Sequence, residues 1–145
     1  LSRCGSSRAP FLYYHAGMAI PDGSTVGDWE RLVLRLVPRR TDPGRTRLWP
    51  TVDGRRPVGR LSTGERKRLL LDALLRRPGS LLLDEPYEHL SPGAKAELTR
   101  LLEARARSSV VVVATNQVTD RARMDGGLVI ENGRARVLPS GPYPR

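Results

Sequence analysis

Leu61-Ser62-Thr63-Gly64-Glu65-Arg66-Lys67-Arg68 and, one helix's length further on, Leu81-Leu82-Leu83-Asp84-Glu85-Pro86 decide how this chain of 145 residues is read. The first stretch sets a hydroxyl and a glycine ahead of a helical pattern. Backbone N–H groups and the positive end of the helix then face one point, as an anion site requires. Plain capping of the helix by Ser62 explains the same residues without any ligand. The second stretch is an apolar strand ending in adjacent carboxylates, which need a cation, a hydrogen-bond donor or water beside them. Two solvated acids at a strand end meet that need as well as a metal does. From Ser62 to Asp84 is 22 positions, enough for one helix antiparallel to the strand that returns beside it.

Working outward, Glu65 to Arg77 is helical, with Leu69, Leu70, Ala73 and Leu74 as its apolar stripe, and Pro78-Gly79 stops it. Ser80 to Asp84 has the unbroken apolar character of a strand covered on both faces. Ser91 followed by Pro92 starts a second helix, whose Leu98, Leu101 and Leu102 face inward as far as about Arg107. Val110 to Ala114 is a β-branched strand, and the helix before it makes it a parallel neighbour of Leu81 to Asp84. Leu128-Val129-Ile130 and Arg134 to Leu138 flank Asn132-Gly133, a two-residue hairpin signal.

Upstream, Phe11-Leu12-Tyr13-Tyr14 is strand-like. Thr25 caps a helix that carries Asp28 in its first turn, places Trp29, Leu32, Val33 and Leu36 on one face, and ends near Pro38. Arg39 to Arg60 is rich in Pro, Gly, Arg and Asp and reads as loop with a short helical turn at most. Residues 1–10 are small, polar and basic, the composition of a poorly ordered or truncated end. An incomplete reading frame, a processed product and a misplaced start all fit a first residue that is leucine. The fold class is therefore α/β, with parallel core strands flanked by helices, a helical region near the N-terminus, a C-terminal β-hairpin and no internal repeats.

The formal net charge of +10 raises nucleic acid or an anionic membrane surface as a partner. Arginine supplies almost all of it, spread over the full length with no interleaved aromatic platform, which argues against a nucleic-acid groove. Cys4 is the only cysteine, too few for an internal disulfide or a cysteine-based zinc site, and a reducing, cytoplasmic setting is the expectation. No apolar run approaches the roughly 18 to 20 residues that span a bilayer, and the first residues lack the apolar core of a signal peptide. A role in a membrane system would be exercised from the cytoplasmic surface.

The tract from Arg60 to Arg68, then Arg77-Pro78, then Leu81 to Pro86 resembles, nearly residue by residue, the signature motif and Walker B motif of the ATP-binding cassette (ABC) ATPases. The resemblance implies part of a P-loop NTPase domain over residues 11–145. Its helical and signature region would span about 25–77, and its Walker B and C-terminal α/β region 78–145. It implies ATP and Mg²⁺ as cofactors. Ser62, Thr63, Gly64 and Glu65 would take the terminal phosphate of ATP held by a second cassette. Asp84 would hold magnesium through water, and Glu85 would polarise the attacking water as general base. A transmembrane permease is the further partner implied.

Several positions depart from the family pattern. Glycine is commoner than Thr63 and glutamine commoner than Glu65. The segment after Walker B reads Tyr87-Glu88-His89-Leu90-Ser91, with serine where aspartate is expected. Tyr87 replaces a small hydroxylated residue, so its phenol is expected to pack. Thr115-Asn116 stands where a switch histidine contacts the terminal phosphate; the Asn116 amide can donate a hydrogen bond but cannot share a proton as imidazole does. No glutamine occurs near Tyr14-His15-Ala16, where the family's Q-loop falls; His15 is either its surrogate or an ordinary surface histidine. No G-x-x-x-x-G-K-[ST] motif occurs, and the only lysines are Lys67 and Lys95.

Three readings follow. The first is an ATP-binding subunit, or a fragment of one, that couples ATP binding and hydrolysis in a cassette dimer to membrane transport, with no ATPase turnover expected of this chain alone. The second is a catalytically silent cassette that acts as a regulatory partner. The third is a non-transport ABC protein acting on nucleic acid, for which only the charge speaks.

Overall fold

A computed structural model describes residues 10–36, 53–116 and 124–138. The chain divides into two units, one up to Ala114 and one from Thr115 onward. The first contains a three-stranded parallel sheet of β1 (Phe11–Tyr14), β2 (Ser80–Asp84) and β3 (Val111–Ala114), in the order β1-β2-β3. Leu12 lies opposite Leu81 and Tyr14 opposite Leu83, while Leu81 pairs with Val111 and Asp84 with Ala114. The expected parallel pairing of the Leu81 and Val110 segments is present, with β1 as the additional partner of β2.

The helices are α1 (Val26–Leu36), α2 (Thr63–Leu75) and α3 (Pro92–Ala106). Each begins as its sequence dictates. Thr25 Oγ1 accepts from Asp28 N, and the Asp28 carboxylate accepts from Thr25 N. Ser62 and Glu65 repeat that reciprocal box at α2, and Ser91 caps α3 with Pro92 in its first turn. Helix α2 stops at Leu75, two residues short of the expected Arg77. Arg105 of α3 holds the following turn by donating to the carbonyls of Arg77 and Gly79.

The core lies on one face of the sheet: Leu12, Tyr14, Leu81 and Leu83 meet Leu71 of α2 and Leu98 of α3, all nearly or completely buried. The expectation that β2 is covered on both faces is not met among the described residues. Leu82 is 39% exposed, Val112 43%, and Phe11 and Tyr13 more than half. Strand side chains alternate, so an apolar run supplies two apolar faces, and the described helical segments cover only one. The face assigned to α1 also needs correction. Val26 and Val33 are buried and Trp29 packs against the core, whereas Leu32 and Leu36 are exposed. The cause is the segment after Asp53. Val26 N donates to Arg56 O, Val58 N donates to Ser24 O, and a bridge joins Thr25 to Pro57. These bonds bury Val26 and Val58 completely and so set the roll of the helix. Val58–Arg60 is the short helical turn foreseen in this stretch; residues 39–52 of it, like Leu1 to Ala9, lie outside the described residues.

In the second unit, β4 (Gly127–Glu131) and β5 (Arg134–Leu138) form the expected antiparallel hairpin. Asn132 and Gly133 both have positive φ, 51° and 73°, as a type I′ turn demands.

Candidate functional site

The site is built where the first two turns of α2 meet the loop that follows β2. Ser62, in extended backbone, accepts the Glu65 N–H on its Oγ, and Glu65 accepts the Ser62 N–H. Capping uses an Oγ lone pair and leaves the hydroxyl proton available to a ligand. The N–H groups of the first helical turn have no acceptor within the helix, so those of Thr63 and Gly64 add to the same positive end. Capping and anion binding are compatible uses of one turn. The Glu65 carboxyl is held below its ordinary range, first by the Ser62 N–H and also by Arg56, whose guanidinium lies 2.8 Å away. Arg66 completes the brace by donating to the carbonyls of Leu61 and Gly59.

Asp84 ends β2, and Glu85 follows it with a φ of 46°, left-handed for a residue with a side chain. Glu85 N donates to Ala114 O, so the ends of β2 and β3 stay in register past the last pair of strand residues. Asn116 follows β3 by two residues in the sequence. Tyr87 packs as expected: it is buried, and its hydroxyl accepts a hydrogen bond from Thr99. Ser91, where the resemblance leads one to expect aspartate, retains a capping oxygen for α3.

Two contacts join α2 to this loop. Lys67, only 6% exposed, donates from Nζ to Glu85 O at 2.6 Å and to Glu88 O at 3.0 Å. Gly64 passes under His89 so closely that an added Cβ would lie 2.4 Å from the His89 carbonyl oxygen. Burial pushes the Lys67 ammonium below its usual range, against the attraction of Glu88, Glu85 and Asp84. Burial also pushes the Tyr14 phenol up to about 12, reinforced by Glu88 and Asp84. An open cavity of about 490 Å³ lies between the end of β1, the start of α2 and the loop, lined by Tyr14, Ala16, Ser62, Thr63, Lys67 and His89 among others.

His15 follows a different course. Its ring stacks on Tyr13, and its Nδ1 accepts from Gly17 N, while Tyr14 before it turns into the core. Sequence reasoning missed the part played by Lys67, although a signal existed. A lysine three and four positions before Leu70 and Leu71 lies on the apolar stripe, where a charge must find partners.

The donor set suits magnesium. Two adjacent carboxylates offer hard oxygen ligands, and no group of three or more His, Cys, Asp or Glu residues capable of enclosing a cation occurs among the described residues. Magnesium is usually held by one or two carboxylates together with water and phosphate oxygens rather than by an all-protein cage. Asp84 is the residue that would hold it here, through water, and the ion would neutralise phosphate charge.

The sequence model of one family, described as "AAA domain, putative AbiEii toxin, Type IV TA system", matches residues 8–117. The zinc import ATP-binding protein ZnuC of Paramagnetospirillum magneticum is 34% identical over 137 residues, covering 75% of this chain and 52% of that protein. The glutathione/L-cysteine transport system ATP-binding/permease protein CydC of Haemophilus influenzae is 36% identical over 92 residues, 63% of this chain and 15% of that protein. The molybdenum import ATP-binding protein ModC of Mesorhizobium japonicum is 38% identical over 93 residues, 61% and 24%. The chain thus spans about half or less of the length of these relatives. Among solved structures, an ATP-binding cassette dimer in a post-hydrolysis state with ADP and Pi superposes with a TM-score of 0.67 at 17% identity, covering 92% of this chain and 65% of that one. The ATP-binding subunit of an ABC transporter gives 0.68 at 18% identity, covering 88% and 59%. These likenesses establish the fold. No described helix is long and apolar enough to cross a membrane.

Proposed function

The chain belongs to the AAA-domain family whose model matches residues 8–117 and, with its ATP-binding relatives, to the ABC ATPases, and on that premise we propose that it supplies one half of a composite ATP site in a cassette dimer. In this reading Ser62, Thr63 and Gly64 take the terminal phosphate of ATP held by a second cassette, and Glu65 keeps their turn in shape. Asp84 holds Mg²⁺ through water, and Glu85 orients the attacking water. Asn116 donates to the terminal phosphate, and His15 stands in for the Q-loop glutamine. The whole would act as the ATP-binding subunit of a transporter at the cytoplasmic face of a membrane, with a transmembrane permease as its further partner. The curated relatives named for zinc, molybdenum and glutathione/L-cysteine transport support that role.

One observation carries the reading: Lys67 donates to the Glu85 and Glu88 carbonyls and Gly64 lies against the His89 carbonyl, so the start of α2 is in direct contact with the loop that follows Asp84-Glu85. Phosphoryl transfer needs phosphate cradling, metal and a positioned water together, and in this reading two of those parts would share one body. The test mixes this chain with a cassette that carries a phosphate-binding loop but has its own signature serine replaced by alanine. Association that needs Mg·ATP and is lost in Ser62→Ala is expected. Association indifferent to both nucleotide and Ser62 defeats the proposal. The chain alone is expected to give no ATP turnover, and Glu85-dependent turnover by the isolated chain would show that expectation to be wrong.

A further inference from the structure

We propose that Lys67 is a positioning residue, whose ammonium clamps the loop after β2 so that Glu85 and the first turn of α2 move as one body. The inference rests on the reading of Glu85 as the residue that orients the attacking water. A buried cation is costly unless its donors are all used, and an apolar side chain beside Leu70 and Leu71 would avoid that cost. Lysine carries three donors and no acceptor on a stem long enough to cross from α2 to the loop. Both of its hydrogen bonds go to main-chain carbonyls, those of Glu85 and Glu88, and the ammonium also lies 5.7 Å from the centre of the Tyr14 ring.

The bonds fall where the backbone needs holding. Glu85 and His89 are both left-handed, with φ of 46° and 59°, a conformation that persists in residues with side chains only when the surroundings over-determine it. Lys67 holds the carbonyl of the first. Gly64, one helical turn away on α2, lies directly against the carbonyl of the second. Both ends of the Glu85-to-His89 loop are thereby referred to one short piece of helix. A phosphate drawn to Ser62, Thr63 and Gly64 would fix that piece of helix and, through Lys67, the backbone that aims the Glu85 carboxylate.

The test follows amide hydrogen exchange in the full chain for the wild type, Lys67→Met and Lys67→Gln. Methionine fills the volume and donates nothing, so the amides of Tyr87 to Leu90 should exchange about tenfold faster or more, with β2 and α3 changing much less. Glutamine donates and carries no charge, and should recover a substantial part of that protection. Adding Mg·ATP together with a cassette that carries a phosphate-binding loop should slow exchange at Thr63 to Glu65 and at Tyr87 to Leu90 in the wild type, but only at Thr63 to Glu65 in Lys67→Met. Unchanged exchange at Tyr87 to Leu90 in Lys67→Met would overturn the clamp, and equal slowing there by Mg·ATP would overturn the coupling. No effect of Mg·ATP with that cassette on the wild type counts against the composite ATP site, while the nucleotide-free comparison still decides the clamp. A measurement on the unaltered chain covers a variant that fails to fold. With ¹⁵N-lysine, one of the two ammonium groups should give a slowly exchanging signal coupled to the Glu85 and Glu88 carbonyls; two fast-exchanging ammonium groups would refute the clamp.

Discussion

Ser62-Thr63-Gly64-Glu65 and Ser91-Pro92-Gly93-Ala94 are two helix starts written in nearly the same residues. Both serines have a φ of −65° with ψ near 160°, and both accept the N–H of the residue three positions on. Both helices have glycine at the second position. The surroundings separate them. A Cβ on Gly64 would meet the backbone of His89 at 2.4 Å, whereas a Cβ on Gly93 would meet nothing within 4 Å. Local chemistry makes a helix start; what lies across from it makes one of the two a candidate site.

The largest effect expected from breaking this contrast comes from Gly64→Ala. The obstructing atom is a main-chain oxygen that cannot swing aside, so urea unfolding should show a loss of about 1–3 kcal/mol. Next come Ser62→Ala and Ser91→Ala. Each removes a cap and should cost about 1 kcal/mol by the same measurement, but only Ser62→Ala should also weaken Mg·ATP-dependent association with a second cassette. Gly93→Ala should have the opposite sign to Gly64→Ala and stabilise by about 0.4–1 kcal/mol, because it restricts the unfolded chain and meets open space. A loss at Gly93 would show that the two starts are alike after all.

The smallest effect sharpens the contrast through pH. Glu65 is held below its ordinary value of 4.5 in the folded chain, so the unfolded chain binds its proton more readily. Its stabilising contribution is present above 4.5 and is lost as pH falls below that value towards the lower folded one. Glu65→Gln should flatten this part of the acid limb in a stability–pH series while retaining an acceptor for the Ser62 N–H. Ser91 has Ala94 at the equivalent place, and Ala94→Gln should leave the acid limb unchanged.

The arginines illustrate how far composition can mislead. Read as a total, they give a charge of +10 and no pattern. Placed in the fold, Arg56 and Arg66 brace the start of α2, Arg105 ties α3 to the turn after α2, and Arg76 pairs with Asp72 at 2.5 Å with both side chains less than a tenth exposed. Buried ion pairs are costly to break, since removing one partner strands the other. No periodicity announces such roles, because each depends on a carbonyl or carboxylate brought near by another element. The two faces of β2 make the same point with neighbouring leucines. Leu81 is fully buried and Leu82 is 39% exposed, although the sequence treats them identically.

By itself the sequence determined what nearest neighbours along the chain can enforce. Capping residues began α1, α2 and α3, β-branched and leucine runs became β2 and β3, and Asn132-Gly133 closed the hairpin. It also carried the family, because the motif residues and the 22 positions between Ser62 and Asp84 are properties of the chain order. Tertiary structure alone decided which strand face was covered, how α1 was rolled, why residue 64 has to be glycine and what the buried lysine holds. These depend on atoms that approach from far along the chain, as Lys67 meets Glu85 and Gly64 meets His89, 18 and 25 positions apart, and Val26 meets Arg56, 30 apart. Steric exclusion and the burial of charge act through space, and are fixed only when α2 is laid against the loop that follows β2.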